Sequence, residues 1–130
     1  AFIADSIAKH STKKNIGAHS IFLGQVRNDR AGEKEVVAIE YMAYTEMAEE
    51  IFHEIREAAF EKYSLTCLHI YHSLGRVHSG EISLFIFTSS VHRKDAIQAC
   101  SEVVERIKKE APVWGKERFT GEDFQWKINS

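Results

Sequence analysis

The sequence predicts an α+β fold, in which a mixed or antiparallel sheet of four to five strands packs against two main helices. Three observations lead to this prediction. Two segments repeat apolar residues at the helical period, several others alternate apolar and polar residues as strands do, and no repeat or Pro/Gly-rich linker divides the chain. A chain of 130 residues is long enough for one hydrophobic core, so we expect a single domain over residues 1–130.

The first half of the chain is predicted to hold a short helix, two strands and a long helix. The short helix covers 5–13, and a buried strand covers 18–24. The polar stretch 28–35 is expected to be a loop before the clearest strand, 36–44, whose apolar positions are Val37, Ile39, Tyr41 and Ala43. Thr45 can cap the long helix, whose core-facing residues are Ala48, Ile51, Phe52, Ile55, Ala58 and Ala59.

The second half is predicted to hold two strands, a helix and a terminal strand. The strands cover 66–73 and 82–90, and the glycine-containing link 74–81 suits a turn with a short extended piece. The tail 124–128 alternates apolar and polar residues and is expected to add a final strand.

The second main helix begins after His92 and ends before Pro112, since the residue before a proline is disfavoured in a helix. Its apolar residues recur at three- and four-residue steps and are Ala96, Ile97, Cys100, Val103, Val104, Ile107 and Ala111. At roughly 100° per residue, Lys108 falls about 20° beyond Val104 at the rim of this face, whereas Lys109 points to water. Lys108 can therefore lay its methylenes on apolar surface and hold its amine at the mouth of a cleft.

Composition excludes several classes of function. The net charge of −2 disfavours sequence-independent binding of nucleic acid, which needs a broad basic surface. No apolar run approaches the ~18 residues of a membrane span, and residues 1–5 lack the features of a signal peptide, so we expect a cytoplasmic protein. Cys67 and Cys100 are expected to be buried reduced thiols, so that any transferred sulfur comes from outside this chain.

The seven histidines do not predict a metal site. His69 and His72 are three apart on a predicted strand and therefore point to opposite faces. The pair His53-Glu54 begins like a zinc-protease helix, but position 57 is Glu57 instead of histidine. We therefore expect no bound metal.

Cationic residues are the candidates for binding an anion. Arg27 follows a buried strand and precedes a polar loop, so the strand fixes the position of its side chain and the loop exposes it to a ligand. The alternative is that Arg27 forms only a surface salt bridge. His92-Arg93 lies where a strand leads into a helix, and helix N-termini attract anions; the alternative is a histidine satisfied by backbone groups.

An ordered set of motifs resembles the large, catalytic subunit of molybdopterin synthase, over nearly the whole chain. These motifs are Phe22–Asn28 (FLGQVRN), Ile39–Tyr44 (IEYMAY) with Met47-Ala48, Gly75-Arg76-Val77 with Gly80-Glu81, His92-Arg93, and Lys108 with Pro112–Glu117 (PVWGKE). The resemblance implies that Lys108 is essential and meets the C-terminal Gly-Gly thiocarboxylate tail of a small ubiquitin-like subunit. It also implies that Gln25, Val26 and Arg27, together with His92-Arg93, help to bind a pterin that carries a cyclic phosphate.

The motif after the helix departs from the family pattern, which commonly places a lysine directly after the tryptophan. Here Gly115 has that place and Lys116 follows it. In the first alternative, which we favour, Lys116 supplies the amine of the family's lysine, and Gly115 lets the backbone adjust to bring it there. In the second alternative, Lys116 fills only the next basic position of the family's motif, and Lys108 acts with less help. Gly115 and the following Glu117 are counted with the substrate-binding residues, and Lys108 and Lys116 with the catalytic ones.

The activity that the resemblance implies is sulfur transfer: conversion of cyclic pyranopterin monophosphate to the dithiolene of molybdopterin. It implies no cofactor, and a heterotetramer in which two catalytic subunits form a central dimer. Two alternatives stay open. One is a non-catalytic module that docks a ubiquitin-like partner; the other is an unrelated α+β enzyme acting on an acyl thioester or a nucleotide phosphate.

Overall fold

A computed structural model describes residues 2–120 and 124–126. Within them, helices and strands follow in the order α1 (Phe2–His10), β1 (Ala18–Gln25), β2 (Arg30–Ala31), β3 (Lys34–Ala43), α2 (Thr45–Lys62), β4 (Cys67–His72), β5 (Gly75–His78), β6 (Ile82–Ser90), α3 (Arg93–Glu110), β7 (Val113–Phe119) and β8 (Phe124–Trp126). The predicted α+β class is confirmed. The predicted final strand extended to Ile128, but Lys127 and Ile128 lie outside the described residues.

The strands form two antiparallel sheets instead of the one sheet expected from the sequence. The first has the order β1-β6-β4, and the second has the order β2-β3-β7-β8, with β5 also paired to β3. The extra strands are the short pieces β2 and β5 and the charged strand β7, which carries no clear alternation of apolar and polar residues. They are held by pairing with β3, a feature that periodicity does not report.

The first sheet is covered on both faces. Helices α2 and α3 pack on one face in a core made of Ile55, Ala59, Leu68, Leu84, Ile86, Cys100, Val103 and Ile107. Helix α1 covers the other face, where Phe2 contacts Tyr71 and Phe85, and His10 contacts Phe87. Because alternate residues of a strand point to opposite faces, a strand covered on both sides is buried almost throughout, as β6 is.

The second sheet has its own smaller core, formed by Val26, Val36, Ile39, Tyr41, Val77 and Phe119. The pairing of β3 with β7 shifts in register between Val36 and Ala38, which is a β-bulge. The bulge turns Val37 outward, with 41% of its surface exposed, so its predicted place on the buried face was wrong.

Two helices differ in their boundaries from the prediction. Helix α1 begins and ends three residues earlier than expected, at Phe2 and His10. Thr45 does not cap α2: the N-cap residue is Tyr44, no side chain donates or accepts a cap hydrogen bond, and Thr45 is the first helical residue. The backbone N–H of Tyr44 instead donates to the carbonyl of Pro112 at 3.2 Å, and its ring lies 5.1 Å from that of Trp114. The start of α2 is thereby tied to the chain that leaves α3.

Among the described residues, no helix is both long enough and apolar enough to cross a membrane. Cys67 and Cys100 are buried free thiols, as predicted.

Candidate active site

Helix α3 runs back along the strand that precedes it. Near its start, the hydroxyl of Thr88 donates to the carbonyl of Ala96 at 2.7 Å. Near its end, Ile107 packs in the same core as Leu84, close to the beginning of β6. The last turn of α3, which carries Lys108, therefore lies at the end of the first sheet where β6 begins at Ile82.

Lys108 is half-buried in the last turn of α3, and the neighbouring Lys109 is exposed. This difference was predicted from their positions around the helix. The buried face of α3 differs from the predicted one at two residues. Ala99 is fully buried, although it was not predicted to be, and Ile97 is 56% exposed, contrary to its predicted place on the apolar face. Lys108 remains at the edge of the buried face, where its amine can reach a site beside the helix end.

The residues that end β1 lie at the same end of the first sheet as Lys108. Gln25 pairs with Ile82 after a register shift at Gly24. Val26 is buried, and its N–H donates to the carbonyl of Glu81 at 3.0 Å. Arg27 follows it and lies 3.2 Å from the carboxylate of Asp29 in an ion pair whose side chains are both more than half exposed. Such a pair is worth little, about 0–1 kcal/mol, so Arg27 can exchange Asp29 for a phosphate at small cost.

Lys116 lies on β7, directly opposite Glu40 on β3. The same carboxylate accepts hydrogen bonds from Arg118 at 2.9 Å and from Arg76 at 2.7 Å. These hydrogen bonds, that of Arg118 foremost, lower the pKa of Glu40 from 4.5 to about 2. Lys116 and Arg118 of β7 and Arg76 of β5 therefore lie around one carboxylate that stays ionised.

Gly115 has a packing role. It lies in the middle of β7, opposite Tyr41, in a stretch of the ladder that is in register from Ala38 onward. A Cβ at this position would lie 2.7 Å from Cγ2 of Ile39 and 3.4 Å from the ring of Tyr41, so only glycine fits without movement of its neighbours. The expected adjustment of the backbone at Gly115 is absent.

Because β7 pairs regularly with β3, the side chain of Lys116 does not lie on the same face of the strand as position 115, where the family pattern commonly has a lysine. Neighbouring residues of a strand point to opposite faces, so a side chain at 115 would face Ile39 and Tyr41, whereas Lys116 faces the side of Glu40. Glu117 returns to the face of Tyr41, where burial chiefly, and the charge of Glu117 in addition, raise the pKa of the tyrosine. The geometry favours the second alternative, in which Lys116 is an auxiliary cation.

His92 and Arg93 lie at the opposite end of α3 from Lys108. His92 is the N-cap residue; its side chain makes no cap hydrogen bond, and its backbone N–H donates to Ser90 Oγ at 3.3 Å. Arg93 and Lys108 are 15 residues apart on one continuous helix, which corresponds to roughly 22 Å along its axis. Within one chain, therefore, these two sets of cations do not line one pocket for a small substrate.

Comparison with known proteins agrees with the motifs. The family model described as MoaE protein matches residues 1–110 of this chain. The chain belongs to the MoaE protein family. The predicted resemblance to the catalytic subunit of molybdopterin synthase is thereby confirmed.

Relatives of this MoaE-family chain include two curated proteins named molybdopterin synthase catalytic subunit. The protein from Pyrococcus abyssi (strain GE5 / Orsay) is 36% identical over 115 residues, which are 88% of this chain and 76% of the relative. The protein from Bos taurus is 35% identical over 113 residues, which are 87% of this chain but only 59% of the relative. The crystal structure of molybdopterin synthase from Staphylococcus aureus has a TM-score of 0.82 and 34% identity, and the match covers 89% of this chain and 83% of that one.

Sequence reasoning missed the ionic network around Glu40 in this MoaE-family chain. The signal was present, because Glu40 and Arg76 both lie inside motifs that carried the resemblance. Their partnership depends on the pairing of β3 with β5, which brings them opposite each other. His69 and His72 do point to opposite faces of β4, as predicted: the ring of His69 lies 5.0 Å from that of His10, and the ring of His72 lies 4.9 Å from that of Tyr41.

Proposed function

We propose that this chain is a sulfur-transferring catalytic subunit of molybdopterin synthase. It converts cyclic pyranopterin monophosphate to molybdopterin. Each of the two dithiolene sulfurs comes from one thiocarboxylated C-terminal tail of a small ubiquitin-like subunit, so two thiocarboxylated tails are used for each product. Family membership over residues 1–110 supports the reaction class. The single observation that carries the site is the half-buried Lys108 at the end of α3, at the same end of the first sheet as Arg27.

The chemistry requires cations because both reactants are anions. A cyclic phosphate and a thiocarboxylate repel each other unless positive groups lie between and around them, and the attraction to those groups is stronger where water is partly excluded. Arg27 offers a guanidinium whose ion pair with Asp29 is exposed. Lys108 offers an amine on partly buried surface. Arg27 is assigned to the phosphate and Lys108 to the thiocarboxylate.

Lys108 is the principal acid–base group of the proposed reaction. When the thiocarboxylate sulfur bonds to a substrate carbon, a hydroxyl group on that carbon takes up a proton and departs as water. Water then cleaves the resulting thioester, which leaves the sulfur on the substrate and a carboxylate on the tail. A lysine at the edge of a cleft can supply this proton and neutralise the sulfur before transfer. Lys116 has the auxiliary role, since it faces Glu40 and the position that faces Tyr41 is occupied by Gly115.

The assembly that fits these distances contains two catalytic chains. His92 and Arg93 bind substrate in the proposal, yet α3 holds Arg93 roughly 22 Å from Lys108 in the same chain. A second copy can bring its own helix N-terminus to the Lys108 end of the first, which completes each site with residues from both chains. A small subunit at each outer end, with its Gly-Gly tail directed at Lys108, completes the proposed heterotetramer.

The proposed location is the cytoplasm. Two buried cysteines that remain unpaired are typical of a reducing compartment.

The test is a single-turnover assay with pterin substrate and thiocarboxylated small subunit. Lys108→Ala should lower the rate of dithiolene formation by about 10²–10³-fold, which is typical when one acid–base or electrostatic group is lost. Lys109→Ala is the matched control, because it removes the same charge from the adjacent, exposed position. Equal rates for the two variants would overturn the role of Lys108.

The wild-type chain separates the proposed function from its alternatives. Tight binding of the small subunit without any sulfuration would identify a docking module that has no chemistry. A thermal shift with coenzyme A or a nucleotide, and none with the pterin, would identify an unrelated enzyme.

A further inference from the structure

Three metal-ligating side chains meet on the α1 side of the first sheet, the face opposite to the one that α3 covers. Cys67 and His69 are two apart on β4 and therefore share a face, and His10 comes from the last turn of α1, which covers that face. The imidazole nitrogens of the histidines and Sγ of the cysteine all lie within 4.8 Å of one another. His10 and Cys67 are buried, and His69 is half-buried.

The two imidazoles are already placed as they would be around a tetrahedral ion. Nε2 of His10 lies 3.1 Å from Nε2 of His69. Zinc–nitrogen bonds of about 2.0–2.1 Å at tetrahedral angles separate two ligand nitrogens by about 3.3–3.4 Å, so little movement is needed. Nδ1 of His10 is 2.7 Å from the carbonyl oxygen of Ser6 and donates to it, which leaves Nε2 with its lone pair toward the cluster. Metal-bound histidines are commonly oriented by such a hydrogen bond.

The cavity around the cluster gives an ion access and room. It has a volume of about 590 Å³, and charged side chains from two helices and the turn after α1 line it, namely Asp5, Lys9, Lys13 and Arg56. Nζ of Lys13 lies 3.2 Å from Sγ of Cys67. Lys13 is exposed, so its side chain can turn outward when an ion enters and leave Sγ of Cys67 to bind the ion.

We propose that His10, Cys67 and His69 form a binding site for a thiophilic divalent cation, with Zn²⁺ as the best match, that fastens α1 to the first sheet. Two nitrogens and one sulfur are ligands that zinc accepts, and the fourth position is open to water from the cavity. On binding, the thiol of Cys67 releases its proton to solvent. The proton shared by the two Nε2 atoms moves to Nδ1 of His69, so that both Nε2 atoms bind the ion.

The test uses the full chain and Co²⁺, a spectroscopic substitute for Zn²⁺. Wild type should show the near-ultraviolet charge-transfer band of a thiolate–cobalt bond together with the strong visible bands of tetrahedral cobalt, and Zn²⁺ should abolish both. Cys67→Ser should lose the charge-transfer band. His69→Gln should weaken Co²⁺ binding by more than about tenfold, the loss found when even a group that only supports a ligand is removed.

Matched controls separate this site from adventitious binding. Cys100→Ser removes the other buried thiol, and His53→Gln removes an exposed histidine of α2; both should bind as wild type does. Zn²⁺ should also raise the melting temperature of wild type but not that of His69→Gln. Absence of the charge-transfer band in wild type, or its persistence in Cys67→Ser, would overturn the proposal. If Cys67→Ser does not fold, the Co²⁺ affinity of His69→Gln decides the test. An affinity equal to that of wild type would contradict the proposed site.

Discussion

A Cβ on Gly115 would lie 2.7 Å from Cγ2 of Ile39, in a strand pair that is buried and in register. Gly115→Ala should therefore lower the free energy of unfolding by about 1–3 kcal/mol, the usual cost of an added methyl group in a packed core. Denaturant unfolding followed by circular dichroism measures it. Ile39→Leu, which has no methyl group on Cβ, should recover part of the loss in the double variant.

The control for this prediction is Ser101→Ala, an exposed position on α3 where the change should stay within about 0.5 kcal/mol. Unchanged stability of Gly115→Ala would mean that Ile39 moves aside freely. The close contact would then not explain why glycine occupies this position.

Lys116→Ala should lower the single-turnover rate of sulfuration less than Lys108→Ala does, by about tenfold or less. Lys116 is half-buried and faces Glu40, on the opposite side of β7 from position 115, so its charge is expected to act on the substrate only from a distance. A loss as large as that of Lys108→Ala would show instead that Lys116 replaces the family's lysine despite its position on the other face.

Mixing two inactive variants tests whether each site is shared between chains. If Lys108 of one chain works with Arg93 of the other, an equimolar mixture of Lys108→Ala and Arg93→Ala should recover about a quarter of wild-type activity. Half of the dimers are then mixed, and each mixed dimer has one intact site. The measurement is the sulfuration rate after the subunits have exchanged.

The control for this complementation is a mixture of Lys108→Ala with Arg27→Ala. Both residues lie at the same end of the first sheet and act within one chain in the proposal, so each site of a mixed dimer keeps one defect. This mixture should stay inactive. Recovery in both mixtures, or in neither, would contradict the shared site.

The ionic network around Glu40 should make the protein sensitive to acid. Hydrogen bonds from Arg118 and Arg76 lower the pKa of Glu40 to about 2 in the folded state, against 4.5 when it is free. Because the folded pKa is the lower one, the network's contribution to stability is complete above about pH 4.5 and is lost as the pH falls toward 2. Thermal unfolding between pH 6 and pH 2 should show a steeper decline for wild type than for Glu40→Gln; parallel curves would contradict this assignment.

Long periodic segments allowed much of the fold to be predicted from the sequence. Strand β6 was predicted with its observed bounds, because it has a central apolar run. Helix α3 was predicted within a residue or two, because its apolar residues recur at the helical period. The unequal exposure of Lys108 and Lys109 followed from helical geometry alone. Where burial determines the spacing of apolar residues, that spacing predicts the helix or strand directly.

Features that depend on pairing between distant segments were missed. Strand β7 carries a run of charged residues and exists because β3 offers it a partner. The same pairing, with its bulge, turns Val37 out to solvent, and it places Lys116 opposite Glu40. The grouping of His10 with His69 depends on the docking of α1 onto the first sheet. No local periodicity encodes which segments become neighbours in this way.

The unbroken course of α3 from Arg93 to Lys108 restricts how this chain can vary in evolution. One inserted residue would rotate everything after it by about 100° and advance it by about 1.5 Å, which would turn Lys108 away from the edge of the buried face. The turn around Gly32, by contrast, projects from the second sheet and can gain or lose residues without moving either end of that helix. Homologous chains should therefore concentrate insertions and deletions in that turn and keep the length of the helix constant.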